Sequence, residues 1–475
     1  MFIFGGTFSL FFSIFYFLLV FSIILVVILD NRNPVKTMAW ILFLMFVPFI
    51  GIIIYFFFGR SNRKQRLISR RGYMRLSKRP MAEFQQQTVA HHVNSKFRIM
   101  KFFSNVNDAL TFDGNNVDIF TDGPSMLYDM IREIKQAKDH IHVQFYIFKD
   151  DPTGRLLRDL LIDRARQGVK VRVLYDDVGC WKVKREFFEQ MMCEGIEAHA
   201  FLKVRFPQFT SKVNYRNHRK IVVIDGRVGY IGGMNIAQRY MRGVPWGVWR
   251  DTQVKITGRS VYGLQTAFLT DWYAIDRTLL TSAEYFPKLP VCGDSVAQIV
   301  TSDPVGEWRD IMQGIMMIIT NAKHYLYMQS PYLLPTEPVL VALQTAALSG
   351  VDVRIMIPKK ADTRFIHEGS LSYINDMLKA GVKIYMYRKG FIHSKLLVSD
   401  DEIASVGSTN MDFRSFEHNF EANAFFYDVK TAVRFKHIFI NDEKDCMCLT
   451  GKVWSRRSWK NKLVESVVRM FAPLF

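Results

Sequence analysis

Residues 217–235, NHRKIVVIDGRVGYIGGMN, and residues 392–410, IHSKLLVSDDEIASVGSTN, align without a gap. Both contain H-x-K-x4-D, and in both an asparagine follows the histidine by seventeen positions. The likeness extends upstream. AKDHIHVQFYIF (137–148) pairs with AKHYLYMQSPYL (322–333), and QGVKVRVLYD (167–176) with SGVDVRIMIP (349–358). A chain that repeats itself this way folds as two similar units. Two copies are too few for a solenoid. In each copy an apolar strand is followed by a helical pattern, GRLLRDLLIDRARQG or EPVLVALQTAALSG, and then by another strand. Strands alternating with helices predict an α/β unit with a mixed or parallel sheet covered by helices. At 475 residues and 49% apolar composition the chain can bury two such cores.

The motif spacing has chemical content. Side chains alternate faces along a strand, so His218 and Lys220 point one way and Arg219 the other; His393 and Lys395 likewise leave Ser394 opposite. Asp225 and Asp400 fall an odd number of residues after their histidines, which turns them away, toward bracing a turn. A protonated lysine beside each imidazole repels a divalent cation, and no carboxylate sits at ligand spacing on that face, so the pattern disfavours a metal site. A core histidine explains one motif but explains two in register poorly. Two histidines, two lysines and two asparagines around one point suit a phosphate ester: amines and amides cradle the oxygens, one imidazole attacks phosphorus and the other donates a proton. Neighbouring ammonium groups are expected to lower the attacker's pKa, and a carboxylate to raise the donor's.

The N-terminus adds a second constraint. Met1 to Leu29 has no charged residue, and Thr37 to Gly59 is a further uncharged stretch of twenty-three. Each is long enough to span a bilayer, and the link DNRNPVK predicts a hairpin, with Pro48 and Gly51 inside the second helix. A signal peptide would carry a basic start that MFIFGGTF lacks. Residues 60–79 hold nine Arg or Lys and no acid, which places the remainder in the cytoplasm by the positive-inside rule and offers a strip for anionic headgroups. The formal charge of +19 fits a polyanionic partner, nucleic acid or anionic lipid. In the tail, VWSRRSWKNKLVESVVRMFAPLF sets Val464, Val467, Val468 and Phe471 at helical spacing among basic residues, for a membrane surface or the protein's own core. The five cysteines (180, 193, 292, 446 and 448) form no disulfide framework, and Cys446-Met-Cys448 lacks a nearby His/Cys partner for a metal.

The paired motifs resemble the HKD signature of the phospholipase D superfamily over roughly residues 110–445. The uncharged hairpin, GGMN in the first motif and the basic tail ending APLF resemble the bacterial cardiolipin synthases within it. The resemblance implies two tandem phospholipase D-like α/β domains related by pseudo-twofold symmetry, preceded by a transmembrane hairpin with spans at about 8–29 and 37–58. The corresponding segments are 1–59 for the hairpin, 60–109 for a basic linker, 110–285 and 286–445 for the two domains, and 446–475 for a basic amphipathic tail. It implies one site lined by His218, Lys220, Asp225, His393, Lys395 and Asp400, with Asn235, Asn410 and Ser408 on the phosphate. Asp251 in WRDT and Glu421 in FEANA match the acidic residues that orient the histidine of the opposite half. Family precedent gives His218 attack and His393 the acid, then base, role, and the reaction needs neither cofactor nor metal. Gly233 departs from the serine common at its position, which Ser408 retains.

The implied reaction transfers a phosphatidyl group from one phosphatidylglycerol to another, giving cardiolipin and glycerol at the bacterial inner membrane. No ATP is needed, in keeping with the lack of a G-x4-G-K-[ST] loop. VRFPQF (204–209) and GVPWGVW (243–249) are candidate acyl-chain loops or ordinary buried packing. A phospholipase D, or a transferase using another alcohol, shares every motif residue. A nuclease fits the charge but not the hairpin, and a lipid-binding scaffold would not be expected to keep all six motif His, Lys and Asn residues. Nucleic acid is therefore not expected as a partner, and a homo-oligomer stays open.

Overall fold

The computed structural model describes residues 3–29, 34–55, 95–204 and 214–472. The basic run 60–79, most of the DNRNPVK link and nearly all of VRFPQF lie outside them. The chain divides into two compact units, Met1–Gln65 with Val204–Tyr215, and Arg66–Lys203 with Arg216–Phe475.

In the smaller unit, helix Ile3–Leu29 is followed by helices Pro34–Phe46 and Pro48–Ile54. The second uncharged stretch is thus two helices rather than one. Val47, the residue before Pro48, takes φ −135°, ψ 63°, because the proline ring disfavours helical geometry there. The chain folds back on itself, with Val27, Leu44 and Tyr55 buried together against Ile23, Trp40 and Ile41. Among the described residues no helix meets the length and apolarity of a membrane span.

The larger unit is built on one long sheet. Its first repeat contributes β1 (Thr111–Phe120), β2 (His140–Phe145), β3 (Lys170–Asp176), β4 (Glu197–Phe201), β5 (Arg216–Asn217), β6 (Ile221–Ile224), β7 (Val228–Gly232), β8 (Val248–Arg250) and β9 (Gln253–Thr257). The second contributes β10 (Ser295–Ser302), β11 (Tyr325–Gln329), β12 (Leu333–Leu334), β13 (Asp352–Pro358), β14 (Lys383–Tyr387), β15 (Gly390–Ile392), β16 (Leu396–Ser399), β17 (Ile403–Gly407), β18 (Met411–Asp412), β19 (Asn419–Phe426) and β20 (Cys446–Leu449). Outward from its centre the first half runs β1-β9-β7-β6-β2-β3-β4, and the second β10-β19-β17-β16-β11-β13-β14-β20. The matching orders meet where β1 pairs antiparallel with β10, Phe112 opposite Ala297. In each half the outer trio, β2-β3-β4 or β11-β13-β14, is parallel. Parallel neighbours need crossovers, and helices Pro152–Arg166 and Glu337–Leu348 supply the first crossover of each trio, where the sequence predicts them.

Helices Val261–Asp276 and Val429–Glu443 cover the central strands. Leu264 and Ala267 from one, and Phe435 and Phe439 from the other, join Val223, Ile256, Val398, Val406 and Ala424 in one core. The outer strands of each repeat have their own cores.

Three features differ from the sequence reading. Helix Ser95–Asn107, inside the expected linker, belongs to the second repeat's core through Ile99 and Phe103. The Phe103 ring lies 4.6 Å from that of Phe425, and it fits because residue 314 is glycine: a Cβ there would come within 2.0 Å of the ring. Cys446 and Cys448, placed in the tail by the sequence, form edge strand β20 against β14. In the tail helix Trp459–Met470, Val468 is buried while Val464, Val467 and Phe471 are exposed. Phe103→Ala empties a fully buried site and is expected to lower unfolding stability by about 3–5 kcal/mol, read as a lower denaturation midpoint in detergent.

Candidate active site

Backbone pairing across the two repeats places both motif histidines. β5 pairs in parallel with β19, Asn217 opposite Phe420, and His218 N–H donates to the Phe420 carbonyl at 2.9 Å. The next residue on β19 is Glu421, whose carboxylate lies 3.0 and 3.1 Å from His218 Nδ1. The second repeat does the converse. β15 pairs in parallel with β8, Ile392 opposite Arg250, and His393 N–H donates to the Arg250 carbonyl at 2.7 Å. Asp251 Oδ2 follows, 2.7 Å from His393 Nδ1. Each imidazole is therefore held through Nδ1 by the other repeat's carboxylate, which leaves Nε2 for chemistry.

Alternation along the strand brings each lysine beside its histidine. Lys220 Nζ donates to the His218 carbonyl and Lys395 Nζ to the His393 carbonyl, both at 2.5 Å. Lys395 Nζ also lies 2.8 and 3.2 Å from the two ring nitrogens of His393. All six groups are buried and they form one electrostatic cluster: His218 feels Lys395, while His393 feels Lys220 and His218. Burial, then Lys220 and Lys395, push His218 down to about 4 against the pull of Glu421. Burial and the two lysines push His393 well below its ordinary value too. The carboxylate beside the expected donor does not raise it, because burial of the ring and the two lysines outweigh the pairing.

The supporting groups are less symmetric. Burial lifts Asp251 to about 6, although Lys395 opposes this. Burial would also lift Glu421, yet His218, Lys220 and the Ser408 hydroxyl hold it below the ordinary range. Ser408 Oγ donates to Glu421 at 2.5 Å and accepts from Ala422 N–H at 3.0 Å. Its hydrogen bonds thus go to the carboxylate rather than to a phosphate position. At the aligned position, Gly233, a Cβ would meet Asp251 Oδ1 at 2.1 Å, so the space Ser408 fills in one repeat is taken by the carboxylate in the other. Burial lowers Lys395 to about 8 and holds Lys220 well below its ordinary value.

Asn235 Oδ1 accepts from Ile147 N–H at 3.0 Å and its Nδ2 donates to Tyr240 Oη at 2.7 Å, whereas Asn410 Oδ1 is buried without a partner. Asp225 and Asp400, counted with the site in the motif, stand apart from the imidazoles. Asp225, at φ 52°, accepts from the N–H groups of Lys138, Asp139 and His140, and Asp400, at φ 54°, from those of Lys323, His324 and Tyr325. Each clamps the start of its repeat's first parallel strand, as the odd spacing suggests.

Two buried clusters beneath the histidines escape the motif reading. Asp271 accepts from Arg219 at 2.5 Å, Gln144 at 2.5 Å and Asn217 at 3.0 Å. Asp442 accepts from Arg250 at 2.7 and 3.0 Å and from Gln329 at 2.8 Å. Gln144 and Gln329 are aligned positions of the repeat. The arginines are not: Arg219 follows the histidine of its own motif, while Arg250 precedes Asp251 and crosses to the other half. Where the second motif has Ser394 in place of an arginine, its hydroxyl meets Thr252 Oγ1 at 2.7 Å.

Two pseudosymmetric α/β repeats with crossed histidine–carboxylate pairs and flanking lysines define a phospholipase D-like enzyme. Residues 130–251 and 315–443 match the family model described as cardiolipin synthase, PLD-like domain, and residues 14–60 match phospholipase D-nuclease N-terminal. The major cardiolipin synthase ClsA of Bacillus subtilis is 39% identical over 95% of this chain and 96% of its own length. The cardiolipin synthase of Listeria innocua is 39% identical over 94% and 95%. Phosphatidylserine synthase of Haemophilus influenzae shares the fold at a TM-score of 0.58, with 13% identity over 79% of this chain and 98% of that one. The chain belongs to the cardiolipin synthase family.

Gly233→Ala drives a methyl group into Asp251 and is expected to lower kcat by roughly tenfold to a hundredfold, with the circular dichroism spectrum unchanged. The pH profile of kcat/KM is expected to be bell-shaped. Protonating Asp251 below about 6 releases His393, and deprotonating Lys395 above about 8 removes charge from the cradle. An acid limb near 4, the value for His218, would instead make His218 protonation the limiting event.

Proposed function

We propose that this enzyme transfers a phosphatidyl group from one phosphatidylglycerol to the terminal hydroxyl of a second, giving cardiolipin and glycerol. The observation that carries this reading is the crossed pairing of His218 with Glu421 and His393 with Asp251. It gives two imidazoles with Nδ1 occupied, suited to the two steps of a covalent exchange.

His218 Nε2, neutral because its pKa lies near 4, attacks phosphorus. The phosphorus–oxygen bond to the headgroup glycerol breaks, and His393 gives its proton to the leaving oxygen. His393 must be protonated for this, and the incoming phosphodiester anion offsets the repulsion from Lys220 and Lys395 that disfavours that proton. Lys220, Lys395 and Asn410 face the charge that builds on the non-bridging oxygens. In the second half, His393 accepts a proton from the hydroxyl of the second lipid, whose oxygen attacks the phosphohistidine. The bond to His218 breaks and the product leaves. One phosphodiester replaces another, so no energy source is consumed.

The apolar N-terminal helices belong in the inner membrane on this reading. In support, Phe17, Leu29 and Phe46 are among many apolar side chains that the hairpin exposes, a density seldom left in water. The basic run 60–79 then sets the catalytic unit on the cytoplasmic face, where anionic lipid collects.

Labelled phosphatidylglycerol supplied alone in detergent is expected to yield cardiolipin and glycerol in equal amounts. Phosphatidic acid without cardiolipin would identify a hydrolase instead. His218→Ala and His393→Ala are each expected to lower turnover by at least roughly 10²–10⁴-fold. Acid quenching is expected to trap the phosphatidyl label on His218, and label on His393 would reverse the two roles.

A further inference from the structure

Helix Trp459–Met470 packs on the catalytic unit the wrong way round for an ordinary amphipathic helix. Its buried residues are Glu465 and Val468. Arg457 pairs with Glu465, Arg469 pairs with Asp376 at 2.8 Å, and Val468 lies against Gly369. Six of its apolar side chains point outward: Trp459, Leu463, Val464, Val467, Met470 and Phe471, all 44–78% exposed. At 100° per residue they occupy an arc of about 140°. Lys460 lies within that arc, Lys462 about 60° beyond its edge, and Lys452 and Arg456 precede it, all exposed. Glu465, the only carboxylate in 451–472, is turned inward.

An apolar arc this wide is not left to water without a cover. We infer that it is a docking face for an anionic lipid surface, with the helix lying in the plane of the headgroups. The charge pattern selects this occupant. A second copy of the chain would bring the lysines of one helix against those of another, whereas anionic headgroups neutralise them. Lysines beside an apolar stripe also reach the phosphate level while their stems stay among acyl chains. This inference rests on the membrane reading only in placing lipid next to the protein; it uses none of the catalytic groups.

The test uses the full chain with its native cysteines replaced. A single cysteine introduced by Val467→Cys carries an environment-sensitive fluorophore, and the protein is reconstituted in vesicles with brominated acyl chains. Strong bromine quenching is expected with phosphatidylglycerol present, and little in pure phosphatidylcholine. The same label at Tyr128, 74% exposed on helix Gly123–Gln136, is expected to stay unquenched. Lys460→Ala with Lys462→Ala is expected to weaken docking by roughly thirtyfold in phosphatidylglycerol vesicles. No quenching at position 467, or equal quenching in both lipids, would overturn the inference. So would disulfide formation between two copies of the unlabelled Val467→Cys protein, which would give the face to a dimer. Quenching in a protein that makes no cardiolipin would sink the transferase reading and leave this face standing.

Discussion

The crossed hydrogen bond between each histidine and the other repeat's carboxylate sets the terms for the rest of the molecule. Four titratable groups that would prefer water, His218, Glu421, His393 and Asp251, lie inside the protein together with two lysines. Removing such charges from solvent costs several kcal/mol per ion unless each finds a partner of good geometry. The exchanged strands β5 and β15 provide that geometry through backbone pairing, which is less adjustable than side-chain contact. Distances near 3 Å are thus fixed by sheet register rather than by rotamer choice.

That arrangement forces the two halves to be complementary rather than identical. Glu421 is longer than Asp251 and has room for a serine beside it; Asp251 is shorter and excludes even a methyl group at Gly233. The arginine that neutralises the buried aspartate below the site comes from the motif in one half and from the partner strand in the other. Near-duplicate sequences thereby give the two imidazoles different surroundings: a carboxylate held below the ordinary range behind His218 and one lifted to about 6 behind His393. A reaction needing one attacker and one proton carrier benefits from such inequality.

Much of this is legible in the sequence because the repeat is. The H-x-K alternation sets which side chains share a face, and the parity of the Asp225 and Asp400 positions turns them outward before any coordinates are known. What stays hidden has no local pattern. Arg250 and Asp442 are separated by 192 residues and belong to segments that do not align with each other, so neither spacing nor repeat connects them. The helix at 95–107 reads as part of a basic linker because its partners, Gly314 and Phe425, come more than two hundred residues later. The break at Val47 carries its own signal in the proline that follows, which the unbroken apolar run outweighs.

The docking of Phe103 onto Gly314 has a consequence for how the chain comes into being. Among the described residues, the first core-forming helix of the catalytic unit has its binding groove in segments made much later, from Gly314 to Phe425. Until then its apolar face, the free edge of β1 and the unpaired β5 all wait on segments still to be translated. Folding of the catalytic unit cannot then proceed domain by domain from the N-terminus as in ordinary tandem proteins. It must close late and over long sequence separations, which slows folding. A nascent chain that exposes apolar and strand-edge surface for so long depends on the cell to shield it.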